Sequence, residues 1–374
     1  MKVSLQAELL QKKIANLSHF ISPRPQLPIL ASIHLKTGKD QIILSATDLD
    51  SGIETAIPAQ VDKEGTIAIP ARTFIELINS FSKETITLEA TIDMLQITTT
   101  SSKSSLPLLP VEEFPKLYED LGEVFCSLGK TELMKTLDHV LFSASTDAGK
   151  PAYSGMLLRF EEAAEKRDFL MVATDGFRLS LTHMQAQGEN PSTQTKSLII
   201  PSRLLKEVMT IKEDVPTIDI FTSTNQNQIV FRFAQTLLIG RLVASEYPPF
   251  ERIIPSDFST ELLCNREELL KAVRICSIFA RDSANVIKIA IQKEKVVVSS
   301  QGSMSGENHV EVNARVKGEE NEIAFNAKYL LDFLANVVVD EIHFEMVGPL
   351  NPGVFKLPDD PSYLHIIMPI RLQE

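Results

Sequence analysis

The feature that most constrains this chain is an internal repeat of three segments. Each combines a short apolar strand with an amphipathic helix, joined by Pro or Asn, a small residue and a basic residue. The segments are 66–77 (TIAIPARTFIEL), 197–208 (SLIIPSRLLKEV) and 322–333 (EIAFNAKYLLDF). Their joining residues Pro70, Pro201 and Asn326 lie 131 (201 − 70) and 125 (326 − 201) positions apart. Because Pro suits the start of a helix and Asn can cap it, the repeat predicts three similar domains.

A second helix is predicted in each domain. Glu-Leu-Leu or Glu-Leu-Met opens a helical pattern at Glu8, Glu132 and Glu268, and in the second of these, apolar residues follow at i, i+4, i+7 and i+8. Thr131 and Asn265 stand where N-caps are expected. Clusters of three short strands follow the helices. The predicted unit is therefore strand, helix, three strands, and it occurs twice per domain.

The expected fold class is α+β, with six helices in three domains of similar size. The expected boundaries are 1–122, 123–250 and 251–374. The first two domains end after similar phrases, Glu113-Phe114-Pro115 and Glu246-Tyr247-Pro248. At 374 residues the chain is long enough for each domain to bury a core of its own.

Composition points to a globular protein of the reducing cytoplasm. Hydrophobic residues make up 44% and charged residues 23%, and no apolar run has the length of a membrane span. Three scattered cysteines suit neither a disulfide framework nor a metal site. The net charge of −12 argues against an extensive nucleic-acid surface but leaves room for a local basic stripe.

The Asp-Gly pair at Asp175 and Gly176 lies between two strand-like runs, which predicts a hairpin turn. Asp48 stands 127 positions earlier (175 − 48) in a similar phrase, so both aspartates are expected to be turn formers rather than a catalytic pair. No phosphate-binding loop or dinucleotide motif is present, and the seven histidines are scattered. The sequence therefore predicts no catalytic residue, no metal site and no cofactor.

Basic residues recur on the predicted helices. On the helix of 202–208, Arg203 and Lys206 share a face opposite Leu204, Leu205 and Val208. Such a face is usually only solvated. Its recurrence on every helix favours a shared surface that holds a phosphate backbone, and the lack of aromatic residues there favours duplex over single-stranded nucleic acid. On this argument alone the nucleic-acid-facing residues are Lys12, Lys13, Lys135, Lys206, Lys271 and Arg274.

The ordered motifs resemble one family along essentially the whole chain. They are the segment 24–30 (RPQLPIL), Ala46 to Leu49, Pro70-Ala71-Arg72, Glu113-Phe114-Pro115, Ala173 to Leu179, Tyr247-Pro248, the segment 325–329 (FNAKY) and the ending 368–372 (MPIRL). In this order they are similar to the bacterial DNA sliding clamps, the beta subunits of the replicative DNA polymerase.

The resemblance implies a specific architecture and specific partners. In that family two subunits of three domains join head to tail into a homodimeric ring, with helices lining the hole and sheets forming the outer wall. The ring encloses duplex DNA without reading its sequence and tethers the replicative polymerase. The clamp loader and other proteins that carry a clamp-binding motif would be further partners, and no membrane is involved.

In the family, partner peptides with aliphatic and aromatic anchors enter a pocket between domains II and III. The matching positions are Tyr153, Thr174, Gly176, Phe177, Arg178, Leu179, Pro248, Arg252, Ile253, Asn326, Tyr329, Gly353, Val354, Ile366, Met368, Pro369, Ile370 and Arg371. The family's DNA-contacting positions match or adjoin Arg24, Arg72, Lys150 and Arg203. The positions at the dimer seam match Ser104 and Leu106 on one side and Ile278 and Phe279 on the other.

Three departures from the family bear on these expectations. Phe177 stands where many members carry His, so the pocket rim is expected to be more apolar. Gln373 and Glu374 extend past the usual terminal Leu, and Ser104 stands where some members place an aromatic residue at the seam. Two other function classes stay open: a repeat-built protein scaffold that encloses no DNA, and an enzyme acting at the pocket, for which the sequence offers no base.

Overall fold

The structure, a computed structural model, describes residues 1–121, 124–147, 149–163, 166–185, 197–223, 227–302 and 305–371. The expected boundary at 122 and 123 and the terminal Gln373 and Glu374 lie outside these residues. Within the described ranges the α-helices are α1 (Ala7–Leu17), α2 (Ala71–Ser80), α3 (Lys130–Val140), α4 (Ser202–Thr210), α5 (Arg266–Phe279) and α6 (Ala327–Asn336). The prediction of six helices is confirmed for this part of the chain.

The strands follow the predicted repeat, with one additional strand, β5. They are β1 (Lys2–Gln6), β2 (Ser32–Thr37), β3 (Gln41–Thr47), β4 (Ser51–Pro58), β5 (Gln60–Lys63), β6 (Thr66–Pro70), β7 (Thr85–Ala90), β8 (Met94–Thr98), β9 (Lys103–Pro107), β10 (Val124–Gly129), β11 (Gly155–Ala163), β12 (Lys166–Thr174), β13 (Arg178–Gln185), β14 (Ser197–Pro201), β15 (Thr217–Ser223), β16 (Gln228–Arg232), β17 (Thr236–Arg241), β18 (Thr260–Asn265), β19 (Val286–Gln292), β20 (Lys295–Gly302), β21 (Gly306–Gly318), β22 (Asn321–Asn326), β23 (Glu341–Met346), β24 (Gly353–Leu357) and β25 (Asp360–Ile367). Apart from β5, each helix is preceded by one strand and followed by three, so the α+β repeat is confirmed.

The chain forms two compact units. One contains the described residues of 1–130 and 203–242, and the other contains those of 131–185, 197–202 and 243–371. Residues of the predicted second domain are thus found in both units. The division into three domains at the expected boundaries stays a prediction.

The first unit holds two sheets. One has five strands in the order β5-β1-β7-β8-β9, and the other has eight in the order β10-β15-β16-β17-β4-β3-β2-β6. In the larger sheet β17 pairs antiparallel with β4, with Leu238 opposite Ile53. Strands of the first and second predicted domains therefore share one hydrogen-bonded sheet.

In the second unit, strands of the second and third predicted domains likewise share one sheet. This twelve-stranded sheet has the order β14-β11-β12-β13-β25-β24-β23-β18-β21-β20-β19-β22. Here β13 pairs antiparallel with β25, with Leu179 opposite Ile366 and Leu181 opposite Leu364. The pairing brings the end of the predicted third domain against the Asp175 turn, and this junction positions the candidate site.

Amphipathic periodicity explains how the helices pack. On α4, Leu204, Leu205 and Val208 are buried while Arg203 and Lys206 are exposed, as predicted. Burial of each large aliphatic side chain contributes about 1.5–3 kcal/mol, so the apolar face fixes which side of the helix meets solvent.

Side-chain capping decides where two of the helices begin. Asn265 accepts hydrogen bonds from the amides of Glu267 and Glu268 (both 3.0 Å), and Asn326 accepts one from Lys328 (2.9 Å). Both caps were predicted. The prediction for Thr131 was wrong, because α3 already begins at Lys130 and Thr131 lies in its first turn.

Candidate functional site

The turn between β12 and β13 is held by its own side chains. Asp175 Oδ1 accepts hydrogen bonds from the amides of Phe177 (2.9 Å) and Arg178 (3.0 Å), and Thr174 Oγ1 donates to the carbonyl of Arg178 (2.6 Å). Gly176 has φ +92°, a conformation that L side chains rarely adopt. The predicted role of Asp175 as a turn former is confirmed, and Phe177 is presented outward.

Asp48 has the same role in the first unit. Its Oδ1 accepts hydrogen bonds from the amides of Asp50 (3.2 Å) and Ser51 (2.8 Å). Leu49, with φ 78°, takes the left-handed position that Gly176 takes in the other turn. Asp48 and Asp175 thus hold equivalent turns, as the repeat spacing predicted.

Beside the Asp175 turn lies an open pocket of about 120 Å³, entirely within the second unit. Its lining is mainly apolar. The lining residues are Tyr153, Thr174, Gly176, Phe177, Arg178, Leu179, Pro248, Pro249, Phe250, Ile253, Ile366 and Met368. Pro249 and Phe250 were not predicted, although they directly follow the matching Tyr247-Pro248 phrase.

The other predicted pocket residues have different positions. Val354 is fully buried in one cluster with Leu179 and Ile366, so it supports the wall from behind. A Cβ on Gly353 would come within 2.4 Å of the Phe325 ring, so this position admits only glycine without rearrangement. Asn326 caps α6, as described above.

The end of the described chain is fixed by two backbone hydrogen bonds. The amide of Met368 donates to the carbonyl of Phe177 (2.8 Å), and that of Ile370 donates to Ala324 (2.8 Å). These bonds hold the segment of Met368, Pro369 and Ile370 against the turn and against β22. Arg371, at the end of this segment, is exposed. Arg252, which precedes the lining residue Ile253 in sequence, is also exposed.

Arg178 is buried in the pocket wall, and two of its guanidinium nitrogens pair with carboxylates. Its Nε lies 3.1 Å from Asp175 Oδ2, and its Nη1 lies 2.6 Å from Asp332 Oδ2. The guanidinium also lies over the ring of Tyr329, 4.8 Å from the centroid. A charge that is only 7% exposed needs such partners, since an unpaired buried charge is strongly destabilising.

Phe177 in the pocket lining pairs with Tyr329, a predicted pocket residue that is not itself among the lining residues. The Phe177 ring stacks on Tyr329, with centroids 6.4 Å apart and planes at 17°. Phe177 is nevertheless 55% exposed, which is unusual for so large an apolar side chain. The pocket rim therefore carries the exposed apolar side chain that was predicted. Its role in binding stays a prediction.

Behind the pocket lies a buried polar network. Ser180 Oγ is 2.8 Å from both Ser143 Oγ and His365 Nδ1, and the Tyr363 hydroxyl donates to the carbonyl of His139 (3.1 Å). Burial holds the pKa of His365 well below its usual range, and the nearby positive charge of Arg178 lowers it further. His365 is therefore neutral at pH 7 and stacks on Phe333, 4.6 Å away.

The cations predicted to face DNA differ in their exposure and in whether a carboxylate pairs with them. Lys13 is only 22% exposed and pairs with Glu213, so its charge is already neutralised. Lys12 pairs with Glu8, Arg72 with Glu76 and Arg203 with Asp48, although all three cations remain exposed. Within the described ranges, the exposed cations without a carboxylate partner include Arg24, Lys135, Lys206, Lys271 and Arg274.

Lys150, predicted to face DNA, lies against aromatic residues of the pocket. Its ammonium lies 5.8 Å from the ring centroid of Tyr153 and 5.9 Å from that of Phe177. Both rings line the pocket. The DNA-facing role expected for Lys150 stays a prediction, but its contacts in this structure are with the pocket rim.

The predicted seam residues lie on two separate elements. Ser104 and Leu106 are on β9, an edge strand of the five-stranded sheet, and Leu106 is buried against its own domain. Ile278, at the end of α5, is 54% exposed, and Phe279 beside it is half-buried.

The described residues contain no cluster of His, Cys, Asp and Glu that could hold a metal ion. Cys126, Cys264 and Cys276 are buried free thiols. In the part of the chain that the structure describes, no helix is long and apolar enough to cross a membrane.

Known proteins of one family are similar to this chain along nearly its whole length. Models of the DNA polymerase III beta subunit match with the N-terminal domain at residues 1–118, the central domain at 127–249 and the C-terminal domain at 251–371. The beta sliding clamp of Staphylococcus epidermidis is 31% identical over 364 residues, 94% of each chain. That of Caulobacter vibrioides is 27% identical over 377 residues, 100% of each chain.

The fold agrees as well. The crystal structure of the DNA polymerase sliding clamp from Bacillus subtilis superposes with a TM-score of 0.93 at 26% identity, covering 100% of both chains. Sequence and fold therefore lead to the same conclusion: this chain belongs to the DNA polymerase III beta subunit family, the bacterial beta sliding clamps.

Proposed function

We propose that two copies of this chain join head to tail into a ring that encloses duplex DNA in the cytoplasm and acts without catalysis. Each copy would contribute three domains, at 1–122, 123–250 and 251–374, with the helices facing the DNA. Enclosure replaces tight binding in this proposal, so weak and salt-sensitive contacts with phosphates suffice and allow sliding.

The observation that carries the proposal is the charge on the helices. Lys135, Lys206, Lys271 and Arg274 are exposed on α3, α4 and α5 and have no carboxylate partner among the described residues, although the chain as a whole has a net charge of −12. Unpaired cations on an acidic protein favour a local polyanion-binding surface, and spaced single charges suit a phosphate backbone better than a base edge.

The pocket of the second unit would tether the replicative polymerase, the clamp loader and other partner proteins through short peptides. Support comes from its apolar lining, its adaptable Met368 and its half-exposed aromatic rim. Apolar pockets with a few oriented polar groups are typical sites for aliphatic and aromatic anchors.

The ring would close between β9 of one copy and α5 of the other. Because Leu106 is buried in its own sheet, β9 would contribute mainly its free backbone edge, and Ile278 would supply the exposed apolar side chain. An unpaired sheet edge is a ready site for association with another chain.

Retention on DNA tests the enclosing ring. After loading by a bacterial clamp loader, the protein should stay on closed-circular DNA and be lost from the same DNA once it is linearised, because a ring slides off free ends. Equal loss from both forms would contradict the proposal and favour a protein scaffold that encloses no DNA.

A further inference from the structure

Lys150 is held at the pocket rim by an ordered turn. Its amide donates to the carbonyl of Asp147 (3.1 Å), and its own carbonyl accepts hydrogen bonds from the amides of Tyr153 and Ser154 (both 3.1 Å). The Tyr153 ring packs in turn toward Gly176, where a Cβ would lie 3.6 Å from Cε1. The turn therefore fixes the base of the lysine side chain relative to the pocket.

The ammonium of Lys150 lies within 6 Å of two pocket rings, at 5.8 Å from Tyr153 and 5.9 Å from Phe177. A cation at this distance is attracted by the ring faces, which makes this position favourable for the flexible side chain. One cation thus contacts two aromatic residues of the pocket lining, the exposed Phe177 and the partly buried Tyr153.

The charge of Lys150 is not compensated. No described carboxylate pairs with it: Asp175 and Asp332 pair with Arg178, and Glu251 pairs with Arg159. Asp147, in the same turn, accepts a hydrogen bond from the amide of Gly149 (2.9 Å) and forms no ion pair among the described residues, and neither does the exposed Glu246. The exposed Arg252 and Arg371 also have no ion pair among the described residues. The pocket is therefore lined mainly by apolar residues, and the ammonium of Lys150 lies against two of its rings without an ion pair.

We propose that Lys150 is a specificity-determining residue of the pocket, which receives a carboxylate of the partner peptide beside the apolar anchor that meets Phe177. The inference rests on the proposed peptide-binding function of the pocket and gives its ligand a chemical class, an apolar peptide with an adjacent negative charge. That charge comes from an acidic side chain or from the terminal carboxylate, since an ammonium pairs with either.

Three synthetic peptides with the same Leu and Phe anchors test this inference. The first carries Asp beside the Phe and has an amidated C-terminus, the second carries Asn there and is amidated, and the third carries Asn and has a free C-terminus. Fluorescence anisotropy measures their affinities for the full chain, for Lys150→Gln and for Lys293→Gln, a matched exposed lysine between β19 and β20 that is not part of the pocket lining. Circular dichroism checks that the variants are folded.

At least one peptide with a carboxylate should bind the parent protein about two- to five-fold more tightly than the neutral peptide, as expected for an exposed ion pair. This preference should disappear in Lys150→Gln, persist in Lys293→Gln and shrink at 0.5 M salt, where screening is strong. Preference for the first or third peptide identifies the source of the carboxylate.

Equal loss of affinity for all three peptides in Lys150→Gln would overturn the inference, because the lysine would then act only through packing against the rings. Weaker DNA retention in Lys150→Gln with an unchanged peptide preference would also overturn it and assign the cation to DNA. Failure of every peptide to bind the parent protein would instead refute the pocket function, and this inference with it.

Discussion

The guanidinium of Arg178 and the carboxylate of Asp332 meet at 2.6 Å, joining two residues 154 positions apart in the chain. Arg178 lies on β13 and Asp332 on α6, so the ion pair ties the turn strand to the helix that presents Tyr329. Tyr329 also stacks on Phe177. The ion pair of Arg178 and Asp332 therefore indirectly fixes the position of this aromatic stack.

Removing Asp332 tests this relationship. Asp332→Ala leaves the buried guanidinium with Asp175 alone, and we expect a loss of about 1–2 kcal/mol of unfolding free energy, less than for a fully buried pair because Asp332 is partly exposed. Urea unfolding measures the change. Glu341→Ala, which breaks the exposed pair with Arg315, is the control and should cost under about 0.5 kcal/mol. Similar losses in both variants would contradict a special role for Asp332.

Truncation of the pocket wall should weaken peptide binding. Met368→Ala or Arg178→Ala is expected to reduce affinity for an apolar anchor peptide at least about five-fold, because central pocket residues contribute most of the binding energy. Isothermal titration measures the affinity, and sedimentation checks that assembly is unchanged. Ile92→Ala removes a side chain that is 93% exposed outside the pocket and should have no effect. Unchanged affinity in the pocket variants would count against this assignment.

Acid should destabilise the protein partly through His365. Since burial lowers its pKa in the folded state, the unfolded chain binds the extra proton first, and stability falls as the pH drops below about 6.5. This group contributes a slope of up to about 1.4 kcal/mol per pH unit. In His365→Phe, which keeps a ring against Phe333, urea unfolding between pH 7 and 5 should show a smaller slope.

The matched control for the acid experiment is Ser143→Ala. This variant removes a hydroxyl of the same buried network without removing a titrating group, so its pH slope should equal that of the parent. A slope for His365→Phe as steep as the parent slope would contradict the assigned role of His365.

A charge at Ile278 should weaken the proposed ring. In Ile278→Asp the exposed apolar side chain at the end of α5 becomes a carboxylate that an apolar seam would have to desolvate, and we expect at least about a ten-fold larger dimer dissociation constant. Analytical ultracentrifugation measures it. Val338→Asp, on a side chain that is 87% exposed, is the control. An equal effect of the two substitutions would argue against a seam at Ile278.

The sequence by itself determined the repeat and most of the fold. Helical and alternating periodicities are local, so they specified six helices, the succession of one strand, one helix and three strands along the chain, and the outward cations of α4. Turn chemistry is local as well: Asp175 and Gly176 were sufficient to predict the hairpin that the structure contains. Thr131 was misassigned because the neighbouring Lys130 already has helical geometry, and capping residues leave the boundary of a helix uncertain by a residue or two.

Tertiary structure alone decided which charges are free and what they face. Lys13 and Lys271 both appear as cations on helices, yet only Lys13 is neutralised, by Glu213 from a distant segment. Lys150 matched a DNA-contacting position, yet its side chain lies against Tyr153 and Phe177. Ion pairs and ring contacts depend on distances of a few ångströms between segments far apart in sequence, and these distances exist only after the sheets have paired.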